Sequence, residues 1–251
     1  MMDSVTDRYM GHLRKSAFRE YAEAIGLAVV FALFLRAFLI EAFIIPSASM
    51  LPTLQDGDRL FVNKFIYGLR IPMTTTRFVD FGLPERGDVV VFVFPREEAK
   101  AHVKTLPTLR RACVDQASLR EEKDYIKRVV GLPGDKLKMI NNQVFINGEP
   151  IPRQELKKSK RGFGVKQRET LKDGSTFVTQ HDGIDANFAV NKEVEIKPGH
   201  VFVMGDNRDN SSDSRCWGQV PASNIKGKAM LIWFASSRYG VHWERIGKWI
   251  E

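Results

Sequence analysis

One lysine lies where its chemistry would differ from that of an ordinary surface lysine. Lys127 occurs in YIKRVVGLPGD (125–135), and strand alternation places it on the same face as Val129. If that face is buried, the pKa of the amine falls from ~10.4 by as much as ~3–5 units, and a neutral amine is a competent general base. The alternative is a strand lysine whose ammonium reaches water.

Two serines lie in a second segment, IIPSASMLPTL (44–54), which follows an apolar run. The small residues around Ser47 and Ser49 match the small-x-small pattern of a signal-peptide cleavage site. The segment continues, however, into Met50, a second proline and a threonine, which a cleavage site does not need. The pattern therefore fits either a place where the chain is cut or part of a site that cuts.

The third candidate is the polar loop GDNRDNSSDSRCWGQVP (205–221). Side-chain hydrogen bonds and Asp–Arg pairs can tie such a loop together. Its acidic residues do not alternate as in a calcium loop, and Arg208 and Arg215 bring the wrong charge, so no metal is expected. Elsewhere, SNIK (223–226) matches S-x-x-K without the elements that accompany that motif, and no G-x-S-x-G or histidine motif occurs.

An apolar run precedes the two serines. Residues 24–35 are uncharged, and extension to Ile45 gives 22 residues, roughly 33 Å as a helix, which is enough to span a bilayer. Arg36 near the far end can extend its side chain to the interface. Four Lys or Arg precede the run, whereas two follow it in 46–65, so the positive-inside rule puts the N-terminus in the cytoplasm. A cleavable signal peptide is the alternative.

The remainder is predicted to be mostly β. Short apolar segments bounded by Gly, Pro or Asp read as strands, at 58–68, 87–95, 125–135, 138–148, 200–207 and 228–235. Residues 109–125 are the best helical candidate, a charged connector. The tail 241–251 fits either an interfacial helix or an ordinary packed tail.

Composition excludes some classes of function. The net charge is +8, but the basic residues are scattered apart from KKSKR (157–161), which reads as a solvated loop, so nucleic acid is not an expected partner. Cys113 and Cys216 lack metal-ligand spacing. Two free thiols are the expectation, although an oxidising compartment would allow them to pair.

Together, PSASMLPTL, GDRLFVNKF, RGDVVVF, YIKRVVGLPGD and the 205–221 loop resemble, in order, the motifs of bacterial type I signal peptidases (leader peptidases). The resemblance covers about 24–234 and implies a signal-peptidase/repressor-autoprotease-like β-fold with one N-terminal transmembrane helix. The predicted domains are a cytoplasmic segment (1–21), an anchor (22–45) and a catalytic β-domain (46–151 and 196–251). The polar region 152–195 matches none of these motifs, and its composition predicts an inserted satellite β-subdomain.

The resemblance also implies a Ser–Lys dyad without histidine, cofactor or metal. Ser49 aligns with the nucleophile and Lys127 with the general base, while Ser47 aligns with an oxyanion donor beside the Ser49 amide. Ser211 aligns with the serine that orients the lysine. Asp213 and Arg215 align with a supporting ion pair, and Asp206 aligns with a structural acid of the same loop. The residues that align with the substrate pocket are Ile45, Pro46, Met50, Leu54, Tyr125 and Ile126.

The implied function is that of a membrane-anchored serine endopeptidase, which removes signal peptides from exported preproteins after small residues at −3 and −1. Its partners would be signal peptides and the lipid bilayer. It would be a single-pass protein of the bacterial inner membrane with its catalytic domain outside. Two alternatives stay open: a Ser–Lys protease that cleaves itself, and an anchored β-domain that binds without catalysis.

Overall fold

The computed structural model describes residues 16–70, 77–105, 113–156, 164–182 and 193–251. Its helices are α1 (Ala17–Phe38), α2 (Arg96–Thr105) and α3 (Ser214–Trp217). Its strands are β1 (Ile40–Ile44), β2 (Asp58–Asn63), β3 (Gly68–Arg70), β4 (Arg77–Asp80), β5 (Val89–Val93), β6 (Asp124–Gly131), β7 (Lys136–Ile140), β8 (Gln143–Ile146), β9 (Glu149–Pro150), β10 (Arg153–Glu155), β11 (Val165–Thr170), β12 (Thr176–His181), β13 (Val194–Glu195), β14 (His200–Met204), β15 (Val220–Pro221), β16 (Ile225–Ser237) and β17 (Gly240–Val241). The predicted mostly β fold with one N-terminal apolar helix is thus confirmed for this part of the chain.

Helix α1 is long and apolar enough to cross a membrane. Its 22 residues correspond to roughly 33 Å, and an 18-residue window has a mean hydropathy of 1.8. Ser16 caps its N-terminus by accepting a hydrogen bond from the Arg19 amide. None of its side chains is buried within the protein. An apolar helix that packs against no core needs another apolar environment.

The helix ends earlier than the predicted anchor of 22–45. It stops at Phe38, and Ile40–Ile44 forms β1, which pairs antiparallel with β2. Pairing with β2 satisfies the backbone N–H and C=O groups of Ile40–Ile44, which a continued helix would otherwise satisfy. Lys64, just after β2, donates from Nζ to the carbonyl of Ala37 (3.0 Å), which satisfies one of the free carbonyls at the helix end.

A curled sheet of eight strands forms the main body, in the order β1-β2-β16-β5-β6-β14-β15, with β17 on β16. The 13-residue β16 pairs first with β5 and then with β2, with bulges between, so that it bends and curls the sheet. All five residues of β5 are buried. Its alternate side chains enter two apolar clusters on the two faces of the sheet, one around Trp217 and the other around Met50.

Most predicted strands are confirmed, with one change of detail. The segment 138–148 is a hairpin rather than a single strand, because Asn141 and Asn142 adopt φ of 49° and 59° and turn the chain between β7 and β8. Asparagine tolerates this left-handed conformation better than most residues.

The predicted helical connector is wrong where it can be compared. Residues 113–123 form turns rather than a helix, and 109–112 lie outside the described residues. The helix is instead α2, whose first turn carries Glu97 and Glu98 near the positive end of the helix dipole and whose Ala99 is buried. The predicted basic loop 157–161 also lies outside the described residues.

Within the predicted satellite region, β10, β11 and β12 form a separate three-stranded sheet. Strands β7, β8 and β9, which precede this sheet in the chain, join β13, which follows it, in a four-stranded sheet of order β13-β7-β8-β9. Strands β3 and β4 form a separate pair. The domain boundaries themselves stay a prediction. The tail forms a 3₁₀ turn at Trp243–Arg245 and buries Ile250, so the packed-tail interpretation fits it better than an interfacial helix.

The two cysteines form a disulfide, so the expectation of free thiols is wrong. Cys113 and Cys216 are joined with their Cα atoms 5.8 Å apart. Both contact the apolar cluster around Trp217, and this shared packing brings together residues that are 103 positions apart in sequence. The bond ties the turns after α2 to α3.

Candidate active site

Ser49 and Lys127 meet in the structure. Ser49 lies in a 3₁₀ turn, Ala48–Met50, that follows β1 and is anchored by the buried side chain of Met50. Lys127 extends from β6, and its Nζ lies 2.7 Å from Ser49 Oγ and 2.8 Å from the carbonyl oxygen of Ile126. The separation required of a nucleophile and its base is therefore present.

The environment of Lys127 favours its neutral form. The side chain is 3% exposed, and burial lowers the pKa of its amine from 10.5 to about 8. The negative charges of Asp213 and Asp206 raise this pKa and that of Arg215 lowers it, but loss of water is the largest cause. At pH 7 a pKa of 8 leaves about 9% of the amine neutral, against about 0.03% at 10.5.

Two hydrogen-bond donors lie beside the Ser49 hydroxyl. Ser47 Oγ is 3.3 Å from Ser49 Oγ, and the Ser47 side chain is not used to cap the 3₁₀ turn. The Ser49 amide belongs to the first turn of that helix, where backbone N–H groups have no intrahelical acceptor. This is the arrangement that a negative charge developing next to Ser49 would need.

Asp213 organises the polar loop behind the lysine. Its carboxylate accepts hydrogen bonds from the Gly205 amide (3.0 Å), Ser211 Oγ (2.8 Å) and Arg215 Nε and Nη2 (2.8 and 2.7 Å). Burial opposes its ionisation, but the charge of Arg215 and these hydrogen bonds keep the pKa of Asp213 below its usual value. The predicted pair of Asp213 with Arg215 is thus formed in the structure.

Ser211 has a different partner from the predicted one. It was expected to hydrogen-bond Lys127, but its hydroxyl donates to Asp213, and no hydrogen bond joins it to the lysine in the described part of the chain. The ionised carboxylate is the stronger acceptor. Ser211 still lies close to the 3₁₀ turn Ala48–Met50, called the serine turn below. Gly205 lies between them, because a side chain at this position would collide both with Ser211 Oγ and with the carbonyl oxygen of Ser49.

Asp206 holds the serine turn from the other side. It forms two hydrogen bonds with Arg128 (2.8 and 2.7 Å), and both residues are 1% exposed. Thr53, in the turn that follows Ser49, donates to the same carboxylate. The neighbouring Asn207 donates from its amide to the Ser49 carbonyl (3.1 Å) and from Nδ2 to the Ala48 carbonyl (3.0 Å).

Sequence reasoning missed Arg128 and Asn207. Arg128 alternates with Lys127 and so faces the other side of the strand, beside Ile126 and Val130, and an arginine that is buried with such neighbours needs a paired carboxylate. Asn207 gave no comparable signal, since its role depends on the fold of the serine turn.

The predicted pocket residues divide into two groups. Ile45, Met50, Leu54 and Ile126 pack together in one apolar cluster, and Met50 and Leu54 have no exposed surface. Core packing therefore accounts for those two. Pro46 is exposed and Tyr125 is partly exposed. The Tyr125 ring lies 5.5 Å from Lys127 Nζ, and its hydroxyl is 2.8 Å from Ser118 Oγ.

The described residues contain no group of three or more His, Cys, Asp or Glu that could hold a metal ion. The site places a hydroxyl next to a buried amine, with hydrogen-bond donors beside the hydroxyl. Such a set can form and hydrolyse an acyl ester.

The chain is similar in sequence to known signal peptidases. The sequence model of the family described as "Signal peptidase, peptidase S26" matches residues 18–234. The chain is 36% identical over 239 residues to signal peptidase I of Pseudomonas fluorescens, covering 86% of this chain and 72% of that protein. It is 33% identical over 250 residues to signal peptidase I of Buchnera aphidicola, covering 83% and 72%.

Among solved structures, signal peptidase I of Enterococcus faecalis aligns with a TM-score of 0.30 and 22% identity, over 59% of this chain and 97% of that chain. The assignment rests on the sequence matches, because a family match over most of the chain is supported by relatives above 30% identity along most of their length. The chain belongs to the signal peptidase family, peptidase S26.

Proposed function

We propose that this protein is a membrane-anchored serine endopeptidase that cleaves signal peptides from exported preproteins by a Ser–Lys dyad. The observation that carries the proposal is the 2.7 Å contact between Ser49 Oγ and the buried Nζ of Lys127. A serine hydroxyl is a weak nucleophile until a base removes its proton, and a desolvated lysine is such a base near neutral pH.

The chemistry proceeds in two stages. Neutral Lys127 takes the proton of Ser49 as Oγ attacks the scissile carbonyl carbon, and the resulting oxyanion is held by the Ser47 hydroxyl and the Ser49 amide. Lys127 then gives the proton to the departing amine, and an ester links the signal peptide to Ser49. Water, deprotonated by Lys127, attacks this ester, after which the proton returns to Ser49 and the signal peptide leaves as an acid.

Two strand edges support an extended substrate near the dyad. Strand β1 is the outermost strand of the main sheet. Strand β14 pairs with β6 only from Arg128 onward, and no other described strand pairs with Asp124–Lys127 on that side. A peptide can add to such an edge through backbone hydrogen bonds. Pro46 and Tyr125, at the surface there, would then limit the side chains at −3 and −1 to small ones.

The anchor and the disulfide support the proposed location. Only β1 and a short turn separate α1 from Ser49, so the site would lie at the membrane surface, where the apolar segment of a signal peptide ends. The bond between Cys113 and Cys216 is typical of an oxidising compartment. We propose a single-pass protein of the bacterial inner membrane with a cytoplasmic N-terminus and its main sheet outside.

Cleavage of a preprotein in detergent tests the proposal. Ser49→Ala and Lys127→Ala should each lose at least about 10³-fold in kcat/KM, as expected when a member of a catalytic unit is removed. Ser223→Ala and Lys226→Ala are matched controls, because SNIK is the other Ser–Lys spacing in the chain and Lys226 pairs instead with Asp124 (2.7 Å). Both controls should cleave at the wild-type rate.

Two results would contradict the proposal. If Ser49→Ala and Lys127→Ala kept wild-type function, a binding domain without catalysis would be the better interpretation. If the protein cleaved only itself and left a precursor with Ala-x-Ala at its cleavage site intact, the self-cleaving alternative would replace it. Labelling of single cysteines placed on either side of α1 in intact cells tests the orientation.

A further inference from the structure

The sheet formed by β10, β11 and β12 contacts the active-site loop directly. Strand β12 is at the edge of that sheet, and the loop runs along its free side. The Gln180 amide donates to the Asp206 carbonyl (2.8 Å), and Gln180 bridges Asn207 in parallel register. The next residue but one, Asp182, donates from its amide to Asp209 Oδ2 (2.7 Å).

A buried ion pair joins the same two elements through their side chains. Glu169 of β11 contacts Arg208 of the loop at 2.7 Å (Oε1 to Nη1) and 2.8 Å (Oε2 to Nη2). The side chains are 4% and 1% exposed. The contact from Nη2 is a charge-assisted hydrogen bond, whereas the contact from Nη1 is an ion-pair distance without hydrogen-bond geometry.

Further hydrogen bonds connect the loop residues that contact this sheet to the proposed dyad. Asn207, next to Arg208, holds the carbonyls of Ala48 and Ser49. The Arg208 carbonyl accepts a hydrogen bond from Arg215 Nη2 (2.6 Å). Arg215 is paired with Asp213, and these two charges act on the pKa of Lys127 in opposite directions. The sheet is therefore linked to the nucleophile on one side and to the base on the other.

We propose that the β10–β12 sheet positions the Ser–Lys dyad, with Glu169 and Arg208 as positioning residues that fix the 205–215 loop against the serine turn. Neither residue touches the reacting atoms. This inference rests on the proposed function, and it assigns a role to a region of the chain that lies outside the motifs of the family resemblance.

The test uses a variant that removes the pair without leaving a buried charge. Glu169→Met combined with Arg208→Met replaces both side chains by apolar ones of similar length, and such replacements of buried pairs are often neutral for stability. The matched control is Glu149→Met combined with Lys172→Met. These two residues form an exposed ion pair (2.7 Å) between β9 and the β11–β12 turn, and the pair includes no residue of the 205–215 loop. Full-length protein in detergent is used throughout.

Three readouts separate positioning from simple stability: the thermal unfolding midpoint, kcat and KM measured separately, and amide hydrogen exchange of peptides covering 47–54 and 205–211. We expect a folded double variant with kcat lowered about 10- to 100-fold, KM within about twofold, and exchange at least about tenfold faster in those two peptides. The control should match wild type in all three. A folded double variant with wild-type kcat and exchange would overturn the proposal.

A milder variant decides the matter if the double variant does not fold. Gln180→Pro removes the one amide that donates to Asp206, and this amide points away from β11, so the β11–β12 ladder is kept. Slower kcat and faster exchange at 47–54 would support the proposal, whereas wild-type values in both would overturn it. If Ser49→Ala cleaved as well as wild type, the proposed function would fail, but the exchange data would still report on positioning.

Discussion

The pH dependence of cleavage should report the unusual environment of Lys127. Only the neutral amine can accept the Ser49 proton, so kcat/KM should rise with pH until the amine is deprotonated. With the pKa lowered to about 8, the neutral fraction grows from about 9% at pH 7 to about 91% at pH 9. The expected change is therefore about tenfold across this interval, with a plateau above it.

An unperturbed lysine predicts a different curve. With a pKa of 10.5 the neutral fraction would rise about 100-fold between pH 7 and pH 9, and no plateau would appear below pH 10. His181, which lies near the loop, cannot produce the rise of kcat/KM between pH 7 and pH 9. Burial is the largest cause that lowers its pKa to about 3, and the charge of Arg208 lowers it further. The position of the midpoint thus distinguishes a buried lysine from an exposed one and from an ordinary histidine.

The assay is cleavage of a signal-peptide substrate in detergent between pH 6 and pH 9.5, with kcat/KM taken at each point. The perturbing variant is Asp213→Asn, which keeps the shape of the side chain but removes the charge that contributes most to raising the pKa of Lys127. It should move the rising limb to lower pH. Asp173→Asn, at an exposed turn of the β10–β12 sheet, is the control and should leave the limb in place.

Two outcomes would refute this reasoning. A wild-type kcat/KM that still rises about tenfold per pH unit up to pH 9.5 would mean that Lys127 is not desolvated when the enzyme works. A limb that Asp213→Asn leaves at its wild-type position would mean that the loop charges do not act on the base. A shift to higher pH would contradict the sign, since removal of a neighbouring negative charge cannot favour the ammonium form.

Three further predictions concern the remaining parts of the site and fold. Ser47→Ala should lower kcat about 10²- to 10³-fold while KM changes little, as measured by steady-state cleavage, because it removes an oxyanion donor; an unchanged kcat would exclude that role. His181 is buried and neutral, so the stability that it contributes is fully present above pH 6.5 and is lost as the pH falls towards 3. Denaturant unfolding should show that the free energy of unfolding falls by about 3 kcal/mol at pH 4 through this residue, and His181→Gln should largely abolish that fall. Reduction of the bond between Cys113 and Cys216 should lower the free energy of unfolding by about 2–5 kcal/mol, given the 103-residue separation, whereas a variant with alanine at both positions should not respond to reductant.

The local patterns of the sequence were sufficient for the strands that carry the site. The run around Val90 and Phe92 is apolar on both faces, and such a run is stable only between two cores, as β5 is. Alternation placed Lys127 with Val129, and Val129 is fully buried, so the face of the lysine followed from its neighbours. The pairing of Lys127 with Ser49, 78 positions away, was implied by the family resemblance and not by these local patterns.

Other features depended on contacts between distant segments. Ile40–Ile44 is apolar enough to continue a helix, and only the pairing edge of β2 makes it a strand. The partner of Ser211 depends on how closely its hydroxyl approaches the Asp213 carboxylate and the Lys127 amine, which the chain order does not indicate. Cys113 and Cys216 pair because turns after α2 pack on α3, and neither segment carries a motif for that contact.

The charges around Lys127 are arranged so that burial has the largest effect on the pKa of its amine. Two carboxylates lie close enough to raise the pKa of Lys127, but each has its own arginine, Arg128 for Asp206 and Arg215 for Asp213. Buried ion pairs of this kind seldom stabilise a fold more than apolar residues would, so their value here is better sought in the electrostatics of the site. Arg215 opposes the effect of Asp213 on this pKa, and Lys127 itself bonds a hydroxyl and a carbonyl rather than a carboxylate. The loop can therefore hold the serine turn with strong charged contacts and still leave the lysine amine neutral often enough for the proposed role as a base.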